Sequence, residues 1–199
     1  MRRLLLIVVF LLGLAASRTP AGAATGRWDI VPGDGSRIEF VSKAPLETIT
    51  GRTKQVSGGC TFDPEKLEGD IVLEVAVEMA SFDTGLGKRN QHMRENHLHT
   101  DRFPRSWLRG GAVKATPASS LPVGGTVSVE FVGELELHGV RRPVVCTIVL
   151  ERPTADALTA TAEFPVKLAD YDIARPQMLL LKLAEEQKVR VALALRRTS

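Results

Sequence analysis

The sequence predicts an all-β protein, an eight-stranded antiparallel β-barrel with one or two short helices. Three observations lead to this prediction. Apolar and polar residues alternate along several long segments, turn-forming residues separate those segments, and the N-terminus has the make-up of an export signal. We therefore expect two parts, a signal peptide over residues 1–23 and one barrel domain over residues 24–199.

The N-terminal segment predicts export. Arg2 and Arg3 precede an apolar run over residues 4–16, and the small residues Ala21-Gly22-Ala23 fit a cleavage site before Ala24. The run is shorter than the roughly 20 residues that span a bilayer. We expect a cleaved signal and a mature protein in the periplasm or the medium, and an uncleaved anchor is the alternative.

The charge balance argues against a nucleic-acid partner. The whole chain has 26 Lys and Arg against 23 Asp and Glu. Arg2, Arg3 and Arg18 precede the predicted cleavage site and no acidic residue does, so the mature chain carries 23 charges of each sign. A formally neutral domain lacks the basic surface that binds nucleic acid.

Periodicity predicts the strands. Alternation with a period of two is clear over residues 71–79, 127–137, 158–168 and 189–195. Weaker strand segments cover residues 37–42, 48–62, 106–114 and 144–151. About eight long strands relieve their edges best by closing into a barrel. An immunoglobulin-type sandwich is the competing architecture, although these strands are long for it.

Two stretches lack strand periodicity. Residues 85–99 are polar and charged, and predict one or two short helices across the barrel, ended by Phe103-Pro104. Residues 176–186 predict a short helical cap, because Pro176 suits a first helical position.

The two cysteines, Cys60 and Cys146, fall within strand segments. They are either two small buried side chains on different strands or a disulfide, and the sequence leaves both open.

Catalytic signatures are missing from the sequence. It has no Gly-x-Ser-x-Gly, phosphate loop, His-Glu-x-x-His or Cys-x-x-Cys, so we expect a protein that is not an enzyme and needs no cofactor. His92, Glu95 and His99 would share one face of a helix and could hold zinc or copper. That spacing supports an alternative, a metal-dependent or redox protein. We expect a solvated polar helix without metal instead, because the sequence shows no supporting shell.

Two sequence blocks resemble the YceI-like family. The first is Ser81-Phe82-Asp83-Thr84-Gly85, followed by Arg89-Asn90-Gln91-His92-Met93 and by Phe103-Pro104. The second is Leu135-Glu136-Leu137-His138-Gly139, which continues through Arg141-Arg142 to Pro143-Val144. Residues 58–64 and 170–176 are similar to two further blocks, so the resemblance covers nearly all of the mature chain.

The resemblance implies a lipocalin-like barrel in the bacterial periplasm that is often dimeric and holds a long isoprenoid in its lumen. It implies no catalytic residues. It makes Arg89, His92 and the hairpin over residues 137–143 fold-defining contacts rather than ligand contacts. His97 and His99 depart from the family pattern, in which an aromatic and an acidic residue are common at these positions.

The predicted inward face also favours a ligand. An eight-stranded barrel either fills its interior with side chains or leaves room for one small ligand, and small residues such as Gly133 suggest room. We expect the lumen ligand to contact Phe40, Phe131, Leu135, Leu158, Ala160, Ala162, Phe164, Val191 and Leu193.

The leading hypothesis is a carrier for a polyisoprenoid, an isoprenoid quinone or a similar long-chain lipid, with a homodimer and transient membrane contact as possible associations. The alternative is a packed barrel that acts as an interaction or stress-protective module without ligand.

Overall fold

The computed structural model describes residues 25–43, 47–178 and 181–198, and the predicted signal peptide lies outside them. One α-helix, α1 (Gly87–Asn96), and two 3₁₀ turns, Met79–Ser81 and Leu168–Tyr171, accompany the strands in this part of the chain. The strands are β1 (Gly26–Ile30), β2 (Arg37–Lys43), β3 (Thr48–Thr53), β4 (Val56–Phe62), β5 (Gly69–Asp70), β6 (Val72–Glu78), β7 (Arg105–Ala115), β8 (Thr126–Leu137), β9 (Val140–Thr154), β10 (Ala157–Lys167), β11 (Gln177–Met178), β12 (Leu181–Lys182) and β13 (Glu186–Arg197).

Eight of these strands close an antiparallel barrel in the order β1-β4-β6-β7-β8-β9-β10-β13, and β13 returns to β1. The predicted fold class is confirmed. The central hairpin pairs β8 with β9 from Thr126 opposite Glu151 to Leu137 opposite Val140. Closure leaves no free edge in the ring of eight, which is the physical advantage of a barrel over an open sheet.

Two short strands share β13 along its length. β1 pairs with the C-terminal part of β13, where Ile30 lies opposite Leu195, and β2 pairs with its N-terminal part, where Phe40 lies opposite Val189. β3 pairs with β2 and bridges at Arg52 to Asp83. We call the end of the barrel that carries β2, β3 and α1 the upper end, and the opposite end the lower end.

The predicted number of barrel strands, eight, was right, but the strands that form the ring are not all the predicted ones. The strand expected over residues 48–62 is broken at Lys54-Gln55 into β3 and β4, and β1 was not predicted because five residues give too little alternation. The strand expected over residues 37–42 exists as β2, but it pairs beside the ring of eight.

The helical cap predicted over residues 176–186 is wrong. Met178 pairs with Leu181 and Gln177 with Lys182, so β11 and β12 form a small hairpin. Ala184 N–H donates a 2.7 Å hydrogen bond to the Lys43 carbonyl at the end of β2. Tertiary attachment therefore overrides the local helix signal from the proline.

The lower half of the barrel is a packed core. Trp28, Phe131 and Val129 are almost completely excluded from solvent, as are Leu67 and Leu121 from the connecting loops. Loss of water contact by such large side chains is the main stabilising contribution to the fold. No helix among the described residues is long and apolar enough to cross a membrane.

Candidate ligand-binding cavity

The upper half of the barrel is hollow. A cavity of about 240 Å³ opens between the strand ends. Apolar side chains of the strands form most of its wall, namely Ile38, Phe40, Ile49, Val75, Val77, Leu108, Leu135, Leu137, Phe164, Val166, Val189, Val191 and Leu193. An engineered apolar cavity of about 150 Å³ already binds benzene. This space is therefore large enough for an apolar ligand larger than one aromatic ring.

Segments outside the ring of eight cover the cavity. Met93 of α1 and Leu98 after it contribute to the wall, as do Ile173 and Leu183 on either side of the small hairpin. Phe82 lies beside Phe40 of β2, with ring centroids 5.4 Å apart. The cover and the wall are therefore in direct contact at this edge.

The first family block fixes α1 over the cavity. Asn90 is buried, and its Oδ1 accepts hydrogen bonds from Thr84 N–H at 2.9 Å and from the Thr84 hydroxyl at 2.6 Å. Asn90 Nδ2 donates to Asp83 Oδ1 at 2.7 Å, and Gly85 N–H donates to the same oxygen at 2.8 Å. These two hydrogen bonds, with that of Gly85 the larger cause, hold the pKa of Asp83 below its usual value. The block therefore has a structural role.

Arg89 combines a structural role with a place at the cavity. Its Nε and Nη2 donate to the hydroxyl and carbonyl of Thr84, both at 2.9 Å, and its Nη1 pairs with Glu47 at 2.8 Å. These are fold-defining contacts of the kind that the resemblance implies. Arg89 and the exposed His92 also contribute to the cavity wall.

The three histidines near α1 do not form a metal site. α1 ends at Asn96, so His99 does not lie on its face with His92 and Glu95. His99 Nδ1 lies 2.8 Å from His138 Nε2, and His138 Nδ1 donates to the Tyr171 carbonyl at 3.0 Å. No cluster of three or more His, Cys, Asp or Glu side chains in the described part of the chain could hold a metal ion. The geometric basis of the metal-dependent alternative is therefore lost.

Two side chains of the wall carry buried polar atoms that have no hydrogen-bond partner among the described residues, Ser42 Oγ and His97 Nε2. His97 Nδ1 is satisfied by the Ala174 carbonyl at 2.9 Å. Burial lowers the pKa of His97, although the bond to Ala174 opposes this shift. Two further polar side chains of the wall are paired, because the Ser106 hydroxyl donates to the Glu136 carbonyl and Gln187 Nε2 donates to the Ala184 carbonyl.

Five of the nine predicted lumen residues line this cavity, namely Phe40, Leu135, Phe164, Val191 and Leu193. Phe131 and Leu158 are buried in the core, and Ala160 packs against it. Ala162 borders a separate shallow depression beside Thr161 and Glu163. Strand parity assigns a residue to a face of the sheet but does not give its depth along the barrel axis, and Phe131 and Leu158 lie too deep. Depth does not explain the two alanines, because Ala160 lies opposite Leu193 and Ala162 opposite Val191, both of which line the cavity.

Sequence reasoning missed several wall residues, including Ser42, Val75, Val77 and Leu108. Ser42 lies at the end of β2, Val77 near the end of β6 and Leu108 near the start of β7, whereas Val75 lies in the middle of β6. The sequence did offer a signal for such residues. A helix predicted across one end of the barrel implies that strand residues beneath it face the covered space.

The cysteines lie far apart. Cys60 on β4 and Cys146 on β9 are free thiols, and three strands lie between them in either direction around the ring. Burial raises the pKa of the Cys60 thiol to about 11 and also raises that of Cys146. Neither thiol has the lowered pKa that marks a reactive cysteine.

A closed barrel of eight strands that is packed at one end and hollow at the other belongs to the class of barrels with an internal space for one small molecule. The family follows from comparison with known proteins. The chain belongs to the YceI-like family, since the model of the YceI-like domain matches residues 28–195.

Bacterial relatives agree with this assignment. A UPF0312 protein of Pseudomonas fluorescens is 32% identical over 110 residues, which cover 54% of each chain. A UPF0312 protein of Vibrio parahaemolyticus is 31% identical over 140 residues, which cover 68% of this chain and 69% of the relative.

Solved structures show the same fold at lower identity. A polyisoprenoid binding domain from Saccharophagus degradans, implicated in plant cell wall breakdown, is 19% identical with a TM-score of 0.67, and the match covers 87% of this chain and 99% of that domain. BcnA of Burkholderia cenocepacia is 20% identical with a TM-score of 0.64, over 80% of this chain and 95% of that protein.

Proposed function

We propose that this chain is a binding protein that carries a polyisoprenoid, an isoprenoid quinone or a similar long-chain lipid in the upper cavity. We further propose that residues 1–23 direct it out of the cytoplasm and are removed. The observation that carries the proposal is the hollow, apolar upper half of a barrel whose lower half is packed. The polyisoprenoid binding domain of Saccharophagus degradans, which shares the fold, supports the choice of ligand class.

The energetics favour an apolar chain. Each buried methylene contributes about 0.8 kcal/mol, so ten of them give a gross gain of about 8 kcal/mol before the costs of association. Few polar groups of the wall are free to orient a ligand, because Arg89, Ser106 and Gln187 already have protein partners. Affinity would therefore come from the chain and selectivity from a small number of polar contacts.

Extraction of the exported protein tests this function. The full-length chain is expressed in a bacterium, recovered from the periplasmic fraction without detergent and extracted with organic solvent for mass spectrometry. We expect a co-purifying long-chain lipid, and an intact protein mass that corresponds to a chain beginning at Ala24. The delipidated protein should then bind geraniol, farnesol and geranylgeraniol with rising affinity, because each isoprene unit buries more apolar surface.

Two results would contradict the proposal. A protein that contains no lipid and binds none of the three alcohols would leave the interaction module as the better hypothesis. A full-length species held in the inner membrane would contradict the cleaved signal.

A further inference from the structure

Two polar atoms in the cavity wall have no partner among the described residues, and they bear on the chemistry of the head group of the bound lipid. Native proteins pair nearly all of their buried polar groups, and an unpaired one destabilises the fold. Three such side-chain atoms occur among the described residues, and two of them, Ser42 Oγ and His97 Nε2, belong to side chains of the same cavity. The third, Arg152 Nε, lies in the lower half on a guanidinium that already binds Glu65 and the Leu121 carbonyl.

The fold directs Ser42 toward the cavity. Ile38, Phe40 and Ser42 alternate with more outward positions along β2, and all three line the cavity. Ser42 is only 1% exposed, so solvent does not satisfy its hydroxyl. A serine at this place in an otherwise apolar row is a hydrogen-bonding group that the described residues leave unused.

The hydrogen-bonding role of His97 Nε2 follows from the hydrogen bond that Nδ1 makes. Nδ1 lies 2.9 Å from the Ala174 carbonyl oxygen, which can only accept, so Nδ1 carries the ring proton. In the neutral ring Nε2 is then a bare acceptor that needs a donor. Burial disfavours the charged ring, which agrees with this assignment.

The two residues are linked through the same covering segment. His97 is tied to Ala174, before the β11–β12 hairpin, and Ala184, after it, donates to Lys43, the residue next to Ser42. The covering segment is therefore attached beside each of the two unpaired atoms.

Charged groups of the wall are already neutralised. Arg89 pairs with Glu47 at 2.8 Å, and Glu39 accepts from Arg52 at 3.0 Å. Arg89 is the one permanent cation of the wall in the part of the chain that the structure describes. A diphosphate or carboxylate would have to displace Glu47 from it and bury its own charge.

We infer that Ser42 Oγ and His97 Nε2 bind an uncharged hydroxyl at the head of the lipid, with the ligand donating to His97 and accepting from Ser42. The inference rests on the proposed function and specifies its ligand as a prenol-type or quinol-type molecule. An oxidised quinone offers only acceptors, which cannot satisfy Nε2, and a prenyl diphosphate is anionic.

Calorimetric titration of the delipidated protein with three matched probes tests this inference. The probes are farnesol, farnesyl methyl ether, which lacks the donor, and farnesyl diphosphate. In the wild type we expect farnesol to bind at least about tenfold more tightly than the ether, since the ether leaves the buried acceptor unpaired. We expect the diphosphate to bind more weakly than the alcohol.

Variants assign the two hydrogen bonds to their side chains. His97→Phe should reduce the ratio of the two dissociation constants toward one, because only the alcohol can donate to Nε2. Ser42→Ala should weaken the alcohol and the ether alike, since both oxygens can accept from Ser42 Oγ, and the double variant should abolish the preference. Ser106→Ala is the matched control, because its hydroxyl lines the same cavity but already donates to Glu136, and it should retain the ratio. Thermal melts show whether each variant is folded.

The outcomes separate the inference from the function. If no probe binds, the proposed function fails. If the alcohol and the ether bind equally to the wild type, or if the double variant keeps the preference, the head-group assignment is wrong while the carrier function stands. Tightest binding of the diphosphate would also overturn the assignment.

Discussion

At the scale of single residues, two glycines of the β8–β9 region have different structural roles. Gly133 was expected to leave space for a ligand, but a Cβ atom there would lie 2.6 Å from the Phe131 ring. The glycine therefore makes room for a phenylalanine in the packed half. Gly139 serves a turn instead, since its φ of 77° and the 52° of His138 fit the tight hairpin between β8 and β9. Small residues in a sequence are therefore not evidence that a cavity is present.

Gly133→Ala should destabilise the protein by about 1–3 kcal/mol, because the Phe131 ring is fully buried and must move. Urea unfolding measures the change. Gly87→Ala is the matched control, since nothing lies within 4 Å of its added carbon and alanine favours the first turn of α1. An equal loss in the two variants would contradict this account of Gly133.

At the scale of elements, α1 is held by its contacts rather than by its own propensity. It begins at Gly87, its N-cap Leu86 provides no side-chain hydrogen bond, and Asn90 is its one buried residue. Short isolated helices are marginal in water, so the bonds from Asn90 to Asp83 and Thr84 supply what the helix lacks. The first family block is therefore a device that fixes the cover of the cavity.

Asn90→Ala should lower the free energy of unfolding by about 1–3 kcal/mol, because it removes the buried amide that bonds to Thr84 and Asp83 and leaves the half-buried Thr84 N–H without its acceptor. Amide hydrogen exchange should accelerate in α1 before it does so in β8 and β9. Gln91→Ala, which removes an exposed side chain bonded to Glu95, should leave both measurements nearly unchanged. Uniform acceleration across the barrel would argue against a local role.

At the scale of the whole molecule, the barrel divides into a packed lower half and a hollow upper half. Loops close the lower end through Leu67 and Leu121, whereas α1 and the segment around the β11–β12 hairpin cover the upper end. The cavity and the most deeply buried side chains thus lie in different parts of one continuous sheet. A change at a partly buried wall residue such as Val191 can therefore alter binding with little effect on the lower core.

Three valine-to-tryptophan variants test this division. Val191→Trp, in the cavity wall, should fill the cavity and abolish lipid binding while the protein stays folded. Val129→Trp, in a core position that is 1% exposed, should destabilise the protein by 1–3 kcal/mol or more, as overpacking typically does. Val145→Trp, which is 59% exposed on the outer face, should change stability by less than about 0.5 kcal/mol and retain binding.

Thermal melts and lipid extraction of the three proteins provide the measurements. Strong destabilisation of Val191→Trp, together with a parent protein that holds no lipid, would indicate an upper half that is filled with side chains in solution. The carrier function would then be abandoned.

The sequence by itself determined the fold class and the placement of its main parts. Alternation over residues 127–137 and 158–168 identified strands, because one dry and one wet face impose a period of two on any half-buried sheet. The polar stretch that contains α1 was recognised for the complementary reason, as it lacks that period. The motif Ser81 to Gly85 indicated the family, and in the structure its Asp83 and Thr84 bond to Asn90 of α1.

Only the tertiary structure decided which inward residues meet the cavity. Phe131 and Leu135 lie on the same face of β8, yet one is in the core and the other lines the cavity. Their sequence period is identical, and what separates them is distance from the covered end of the barrel. The sequence also did not show that Ser42 Oγ and His97 Nε2 lack partners among the described residues. Whether a buried atom has a partner depends on the positions of all its neighbours in the fold.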